Sequence, residues 1–334
     1  DYMDERRYPV ELVKTFDKQI VGQYEYKESV AMAIYKQCYK NTTQPIMVIA
    51  PTGSGKTFLF DVFKNSSMKP QNYTITSINI SRLTEEGVHG QDLDDIFISY
   101  KEQCQLEGNR QMRGLIYIDE IDKLISPSIV TNGDTVTNKN AQIQHQLMQI
   151  LDGGTIAGID TKKVLFVFGG AFHQLDYIEI PEVRHNPIGF VNTPISTPDD
   201  RLLAEKSIRD ELLEIGFQRE FLGRITKIVR LKALNRTELK AILLHPSRGE
   251  ISKLKKEYAS DGIELEIKDD AVDQILDAVV SENLGARSVS NILEQLLDGV
   301  WFRCIANDYN KVVIDKNADI KYMKVRKKET VQVP

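Results

Sequence analysis

The sequence predicts an α/β protein: a large domain built on a parallel sheet covered by helices on both faces, followed by a smaller, mainly helical α+β domain. Three observations carry that expectation. Strand-like apolar runs alternate with helical patterns over the first two thirds of the chain, one of those runs breaks into a glycine loop ending in Lys-Thr, and the rhythm changes after Leu231. With 334 residues and roughly 100–200 residues to a domain, two domains are expected, residues 1–232 and 233–334, joined near Ala233 to Arg236.

In chain order, Ile20-Val21-Gly22-Gln23 precedes a segment with Val30, Ala33, Ile34 and Gln37 at helical spacing. The first strand, Ile46 to Ile49, then runs into Ala50-Pro51-Thr52-Gly53-Ser54-Gly55-Lys56-Thr57. This pattern points to a nucleoside triphosphate with Mg²⁺. Glycines let successive backbone N–H groups turn inward around phosphates, the lysine brings a point charge to the β/γ oxygens, and the threonine hydroxyl reaches the metal. Phe58, Leu59, Val62 and Phe63 fall at helical spacing, so the loop opens a helix whose N-terminal end also favours an anion. Ala50 stands where the motif usually starts with glycine, a place where a small residue suffices.

Further strands are expected at Tyr73 to Ile80, Gly114 to Ile118, Lys163 to Phe168 and Ile228 to Leu231. The second of these ends in Asp119-Glu120. Asp119 is expected to hold Mg²⁺, directly or through water, and Glu120 to polarise the attacking water as general base. Alone, an acidic pair at a strand end is an ordinary surface feature; the phosphate loop gives it meaning. Ser126 to Asn140, rich in Ser, Thr, Asn and Gly, and His185 to Asp200, with Pro187, Pro194 and Pro198, read as long loops. After Leu231 the expected order is helix, short strand, helix, helix, strand. Ile263 to Ile267 alternates with period two, and Val289, Ile292, Leu293, Leu296, Leu297, Val300 and Trp301 mark the packed face of a helix of at least three turns.

Composition narrows the class. Hydrophobic and charged fractions of 41% and 27% are those of a soluble globular protein, no apolar run reaches the ~18 residues a membrane span needs, and no signal peptide is evident, so a cytoplasmic protein is expected. A net charge of −5 argues against nucleic-acid binding through bulk electrostatics, although a local basic groove stays open. Cys38, Cys104 and Cys304 are far apart with no CxxC, which reads as reduced thiols, and the five histidines have no ligand spacing. The chain begins without methionine, as a trimmed piece would.

From about Ile20 to Ile320 the chain resembles the ClpX-type AAA+ protein unfoldases. The resemblance rests on ordered blocks: Val21-Gly22-Gln23, the phosphate loop, Leu83-Thr84-Glu85 with Gly87 and Gly90, Tyr117-Ile118-Asp119-Glu120-Ile121-Asp122-Lys123, Gly169-Gly170-Ala171-Phe172, Glu220-Phe221-Leu222-Gly223-Arg224, and Gly285-Ala286-Arg287. HslU-type unfoldases match less well. The resemblance implies an AAA+ large domain and small domain, ATP hydrolysis coupled to protein unfolding, a homo-oligomeric ring, a hexamer in this family, and protein substrates passed to a ClpP-like peptidase. It also implies that Ile20, Val21 and Gly22 pack on the adenine, that Arg224 reaches into a neighbour's site as a finger on the γ-phosphate, and that Arg287 is the sensor-2 arginine. Read locally, Arg224 is a surface charge; Arg287 lies near a helix start, where a cation wants an anion close by, either ATP or an acid such as Glu282.

Some blocks depart from the family. Its pore-loop aromatic-aliphatic pair is here Val88-His89, which offers less gripping area; His89 is either a pH-sensitive gripping residue or a loop histidine without a role. The short run Gly153 to Asp160 replaces a longer basic substrate-recognition loop, and the N-terminal zinc module has no counterpart. Ile188-Gly189-Phe190 matches the tripeptide with which this family docks on ClpP, against the alternative of packing back on its own domain. The rival reading is a nucleotide-gated scaffold or switch that assembles on a partner without threading it. A DNA-associated loader is disfavoured by charge and by the unfoldase blocks.

Overall fold

Every residue of Ile46–Ile49 (β1) is buried, which is what a strand covered on both faces requires. The computed structural model describes residues 5–51, 53–81, 93–126, 129–132, 135–173, 175, 207–282, 286–316 and 319–325. The chain divides into two compact units, residues 1–51 with 55–232, and residues 233–334 with 52–54.

In the first unit, β1 lies in a five-stranded sheet with Tyr73–Asn79 (β2), Arg113–Asp119 (β3), and, numbered here by their place in the whole chain, Val164–Gly170 (β8) and Lys227–Arg230 (β9). The order is β2-β3-β8-β1-β9 and every pair is parallel. All four later strands fall within two residues of their sequence expectation. Side chains alternate strictly between faces. Ile46, Val48, Leu115, Tyr117, Leu165 and Val167 pack with the helices Tyr8–Asp17 (α1), Tyr24–Lys40 (α2) and Phe58–Lys64 (α3). Met47, Ile49, Ile116, Ile118, Phe166 and Phe168 pack with Leu93–Leu106 (α4) and Lys139–Asp152 (α5). The sequence pattern does not single out α1, although Leu12 and Phe16 on it are fully buried.

Gly169 on β8 faces the ring of Tyr117 across the β3–β8 pair, and a Cβ there would collide with the phenol oxygen. Gly169→Ala is therefore expected to cost about 1–3 kcal/mol by overpacking, read as a lower denaturant midpoint at unchanged slope.

The segment Ser126 to Asn140, expected as a loop, is instead largely a hairpin: Ile129–Asn132 (β4) pairs antiparallel with Thr135–Asn138 (β5). The physical reason lies in the sequence. β-branched Val130 and Thr131 pair in register with Thr137 and Val136, and the sequence puts the two residues Gly133-Asp134 between the runs, a hairpin signal. Asn138 then caps α5 by accepting from the Ala141 N–H. A second hairpin, Thr155–Ile156 (β6) with Ile159–Asp160 (β7), turns through Ala157 and Gly158, both at positive φ.

The second unit holds Arg236–Leu243 (α6), Glu250–Ser260 (α7), Glu264–Ile267 (β10), Asp269–Glu282 (α8), Ala286–Ala306 (α9), Lys311–Ile314 (β11) and Ile320–Met323 (β12). Helix α7 and strand β12 are additional to the order expected from the sequence. Asn235 and Glu238 close a reciprocal capping box at the start of α6, both bonds 2.9 Å. The strands form the sheet β10-β11-β12, parallel then antiparallel. Val289, Leu293, Leu297, Val300 and Cys304 form the buried stripe of α9. Leu296, counted with that face in the sequence, is instead 44% exposed. Cys104 and Cys304 are buried and Cys38 half-buried, all as free thiols. Among the described residues, no helix is long and apolar enough to cross a membrane.

Candidate active site

In open parallel sheets, ligands bind outside the carboxyl ends of the strands. At that end of this sheet, β1 enters the phosphate loop, β3 ends at Asp119, and β2 ends at Asn79, paired in register with Asp119. Gly53 and Gly55 have φ of 77° and 85°. A Cβ on Gly55 would meet nothing, so conformation and not space demands glycine there.

Lys56 and Thr57 follow. The Lys56 ammonium is 3.9 Å from Asp119 Oδ1, and the Thr57 hydroxyl is 3.5 Å from Asp119 Oδ2. Oδ1 accepts two further bonds, from the Tyr117 hydroxyl at 3.1 Å and from the Glu120 N–H at 2.9 Å. One oxygen is thus anchored to protein and the other is turned to Thr57. Burial, then neighbouring Tyr26 and Asp119, push the Tyr117 phenol above its ordinary value, so it remains a donor.

Glu120 has φ of 59°, in the left-handed region, at a cost of order ~1 kcal/mol for a residue with a Cβ. That backbone directs its side chain away from Asp119's. The Ser81 hydroxyl donates to Glu120 Oε2 at 2.6 Å, and the Ser81 N–H is held by Asn79 Oδ1 at 2.9 Å. The Ser81 hydrogen bond lowers the Glu120 pKa, with Asn79, Lys123 and Lys56 adding and partial burial opposing.

These strand ends thus gather a cation, a hydroxyl and two carboxylates around one glycine loop, a layout for handling phosphate. Residues 41–228 match the family described as AAA domain (Cdc48 subfamily), and residues 234–308 match the C-terminal, D2-small domain of ClpB protein. The ATP-dependent Clp protease ATP-binding subunit ClpX 2 of Wolinella succinogenes is 30% identical over 322 residues, 88% of this chain and 77% of that protein. The chain belongs to the ClpX-like AAA+ family. It is a nucleotide-binding ATPase of the Clp type. Similar too are the subunits named ClpX of Treponema denticola, 27% identical over 88% of this chain and 76% of the relative, and of Borrelia duttonii, 28% identical over 93% and 78%.

The other family positions stand as follows in this ClpX-like chain. Ile20 is buried, Val21 and Gly22 are half-buried, and Gly22 and Gln23 take left-handed φ of 64° and 55° in succession. Arg224 joins a different constellation: its Nε and Nη2 donate to the two oxygens of Asp152 at 2.6 Å each, and its Nη1 to the Glu220 carbonyl at 2.7 Å. Arg287 is in the first turn of α9, with its side chain outside the described residues. Thr52, Val88, His89, Ile188, Gly189 and Phe190 also lie outside them.

Sequence reasoning missed Tyr117, Asn79, Ser81 and Asp152. Period-two alternation puts Tyr117 on the same face as Asp119 and was a usable signal; the contacts of Ser81 and Asp152 depend on chain crossings that no local pattern records. Ser81→Ala removes the leading cause of the lowered Glu120 pKa. As a general base Glu120 would have to be ionised, and activity would then fall as pH drops through its pKa. The variant raises that pKa, and the acid limb of kcat is expected to move to higher pH, as a pH–rate profile would record.

Proposed function

We propose that this ClpX-like chain is an ATP-driven protein unfoldase that works as a homohexameric ring and passes substrates to a ClpP-like peptidase. The convergence of Lys56, Thr57, Asp119 and Glu120 at the sheet's carboxyl edge carries the proposal, together with relatives that are ATP-binding subunits of Clp proteases. Residues 1–232 act as the large domain and 233–334 as the small one.

The residues take distinct parts. Pro51 to Thr57 cradle the phosphates, with Lys56 at the β/γ oxygens. Thr57 and Asp119 present the hard oxygens that suit Mg²⁺. Among the described residues no group of three His, Cys, Asp or Glu could hold a metal; Thr57 and Asp119 are the residues that would hold Mg²⁺ beside the phosphates. Bound there, Mg²⁺ supplies neutralisation of charge on the β- and γ-phosphates. Glu120, kept ionised by Ser81, takes a proton from the water whose oxygen bonds the γ-phosphorus as the bond to ADP breaks. Arg224 from an adjoining copy steadies the charge on the transferred group, Ile20, Val21 and Gly22 pack on the base, and Arg287 senses nucleotide state. Val88 and His89 contact the substrate chain in the pore, and Ile188, Gly189 and Phe190 dock on the peptidase.

The test is a folded, tagged fluorescent reporter with ATP and added ClpP-like peptidase. ATP-dependent loss of fluorescence that Glu120→Gln abolishes is the expected result. Nucleotide-dependent assembly with the reporter left folded would favour the gated scaffold, for which the small Val88-His89 pair is the argument.

A further inference from the structure

Two adjacent residues in the first turn of α2 reach opposite parts of the nucleotide site. The Tyr26 hydroxyl, on a fully buried ring, donates to the main-chain carbonyl of Lys56 in the phosphate loop at 2.6 Å. The ammonium of Lys27, whose side chain is 1% exposed, donates to the main-chain carbonyl of Ile20 at 3.0 Å and to Asp17 Oδ1 at 2.6 Å, and lies 4.7 Å from the centroid of the Tyr24 ring. Neighbours on a helix point ~100° apart, so one rigid turn grips two separate segments.

A buried lysine needs a reason. An apolar side chain would fill the same volume without the desolvation cost, so what the charge adds is direction. That direction is spent on a segment outside regular structure: between α1 and α2 the chain turns through Gly22 and Gln23, both left-handed, in no strand or helix. The ammonium ties the Ile20 carbonyl to the end of α1 and the start of α2 together.

We propose that Tyr26 and Lys27 are positioning residues for the nucleotide: Tyr26 sets the phosphate loop through Lys56, Lys27 sets the base segment through Ile20, and the turn between them fixes the spacing a purine nucleotide must span. The inference rests on the reading of Ile20, Val21 and Gly22 as the segment that meets the base.

Two probes separate the halves of the site: ADP, which has a base, and inorganic pyrophosphate, which has none. Each is titrated calorimetrically into the full chain. Losing both hydrogen bonds of the ammonium, Lys27→Met is expected to weaken ADP about tenfold and leave pyrophosphate within about twofold, whereas Tyr26→Phe weakens both by a similar factor of about three to ten. Equal loss of both probes by Lys27→Met, or no loss of either, overturns the proposal. Ile20→Ala is the reference. If it weakens ADP alone while Lys27→Met does not, the positioning role falls and the base-segment reading stands; if it leaves the ratio of the two affinities unchanged, the reading falls and the proposal with it. Should Lys27→Met fail to fold, Asp17→Asn serves, because that carboxylate is 41% exposed and the ammonium is kept. It is expected to weaken ADP alone by about threefold, and unchanged ADP affinity would again overturn the proposal.

Discussion

Glu120→Gln is expected to lower kcat for ATP hydrolysis by about 10²–10⁴-fold while ATP binding persists. The amide has the shape of the carboxylate and can still accept from the Ser81 hydroxyl that bonds Glu120 at 2.6 Å, so the local structure has no cause to change. What is lost is the capacity to take a proton from water. Lys56, Thr57 and Asp119, the residues proposed to hold the phosphates and Mg²⁺, are untouched. Steady-state phosphate release together with a nucleotide titration checks both halves, and turnover at the parent rate would remove Glu120 from the role of base.

Arg224→Ala is expected to lower kcat by about 10³–10⁵-fold, the range seen when an arginine finger is withdrawn from a phosphoryl-transfer site. Arg224→Lys should recover little, because a point charge does not reproduce a planar fork. The decisive measurement is a mixture. Subunits carrying Arg224→Ala keep Glu120, and subunits carrying Glu120→Gln keep Arg224, so rings assembled from both contain some interfaces with the full set. Hydrolysis by the mixture, where neither preparation alone turns over, shows action in trans. A mixture as inert as its components would deny it.

Much of this was legible in the residues. The three central strands of the large sheet could be placed because both their faces are buried, which writes β1, β3 and β8 as nearly unbroken apolar runs such as Ile46–Ile49 and Val164–Phe168. The phosphate loop and Asp119-Glu120 were legible because their chemistry fixes residue type at fixed spacing. The hairpin at Ile129–Asn138 was obscured by its polar composition, although Gly133-Asp134 between β-branched runs was there to be read. Tyr26, Ser81 and Asp152 were out of reach for a different reason. Each works through a partner 30, 39 or 72 positions away, and periodicity within a segment says nothing about which segments meet.

In a solitary chain the Arg224 guanidinium is already spoken for, with Asp152 on one edge and the Glu220 carbonyl on the third nitrogen. In the proposed ring, a phosphate brought by an adjoining copy would compete with a carboxylate for those N–H groups instead of meeting a naked cation. Ionic strength screens attraction and competitor alike. If copies associate through this arginine as proposed, that association is expected to respond to added salt less steeply than one bare charge per contact would dictate.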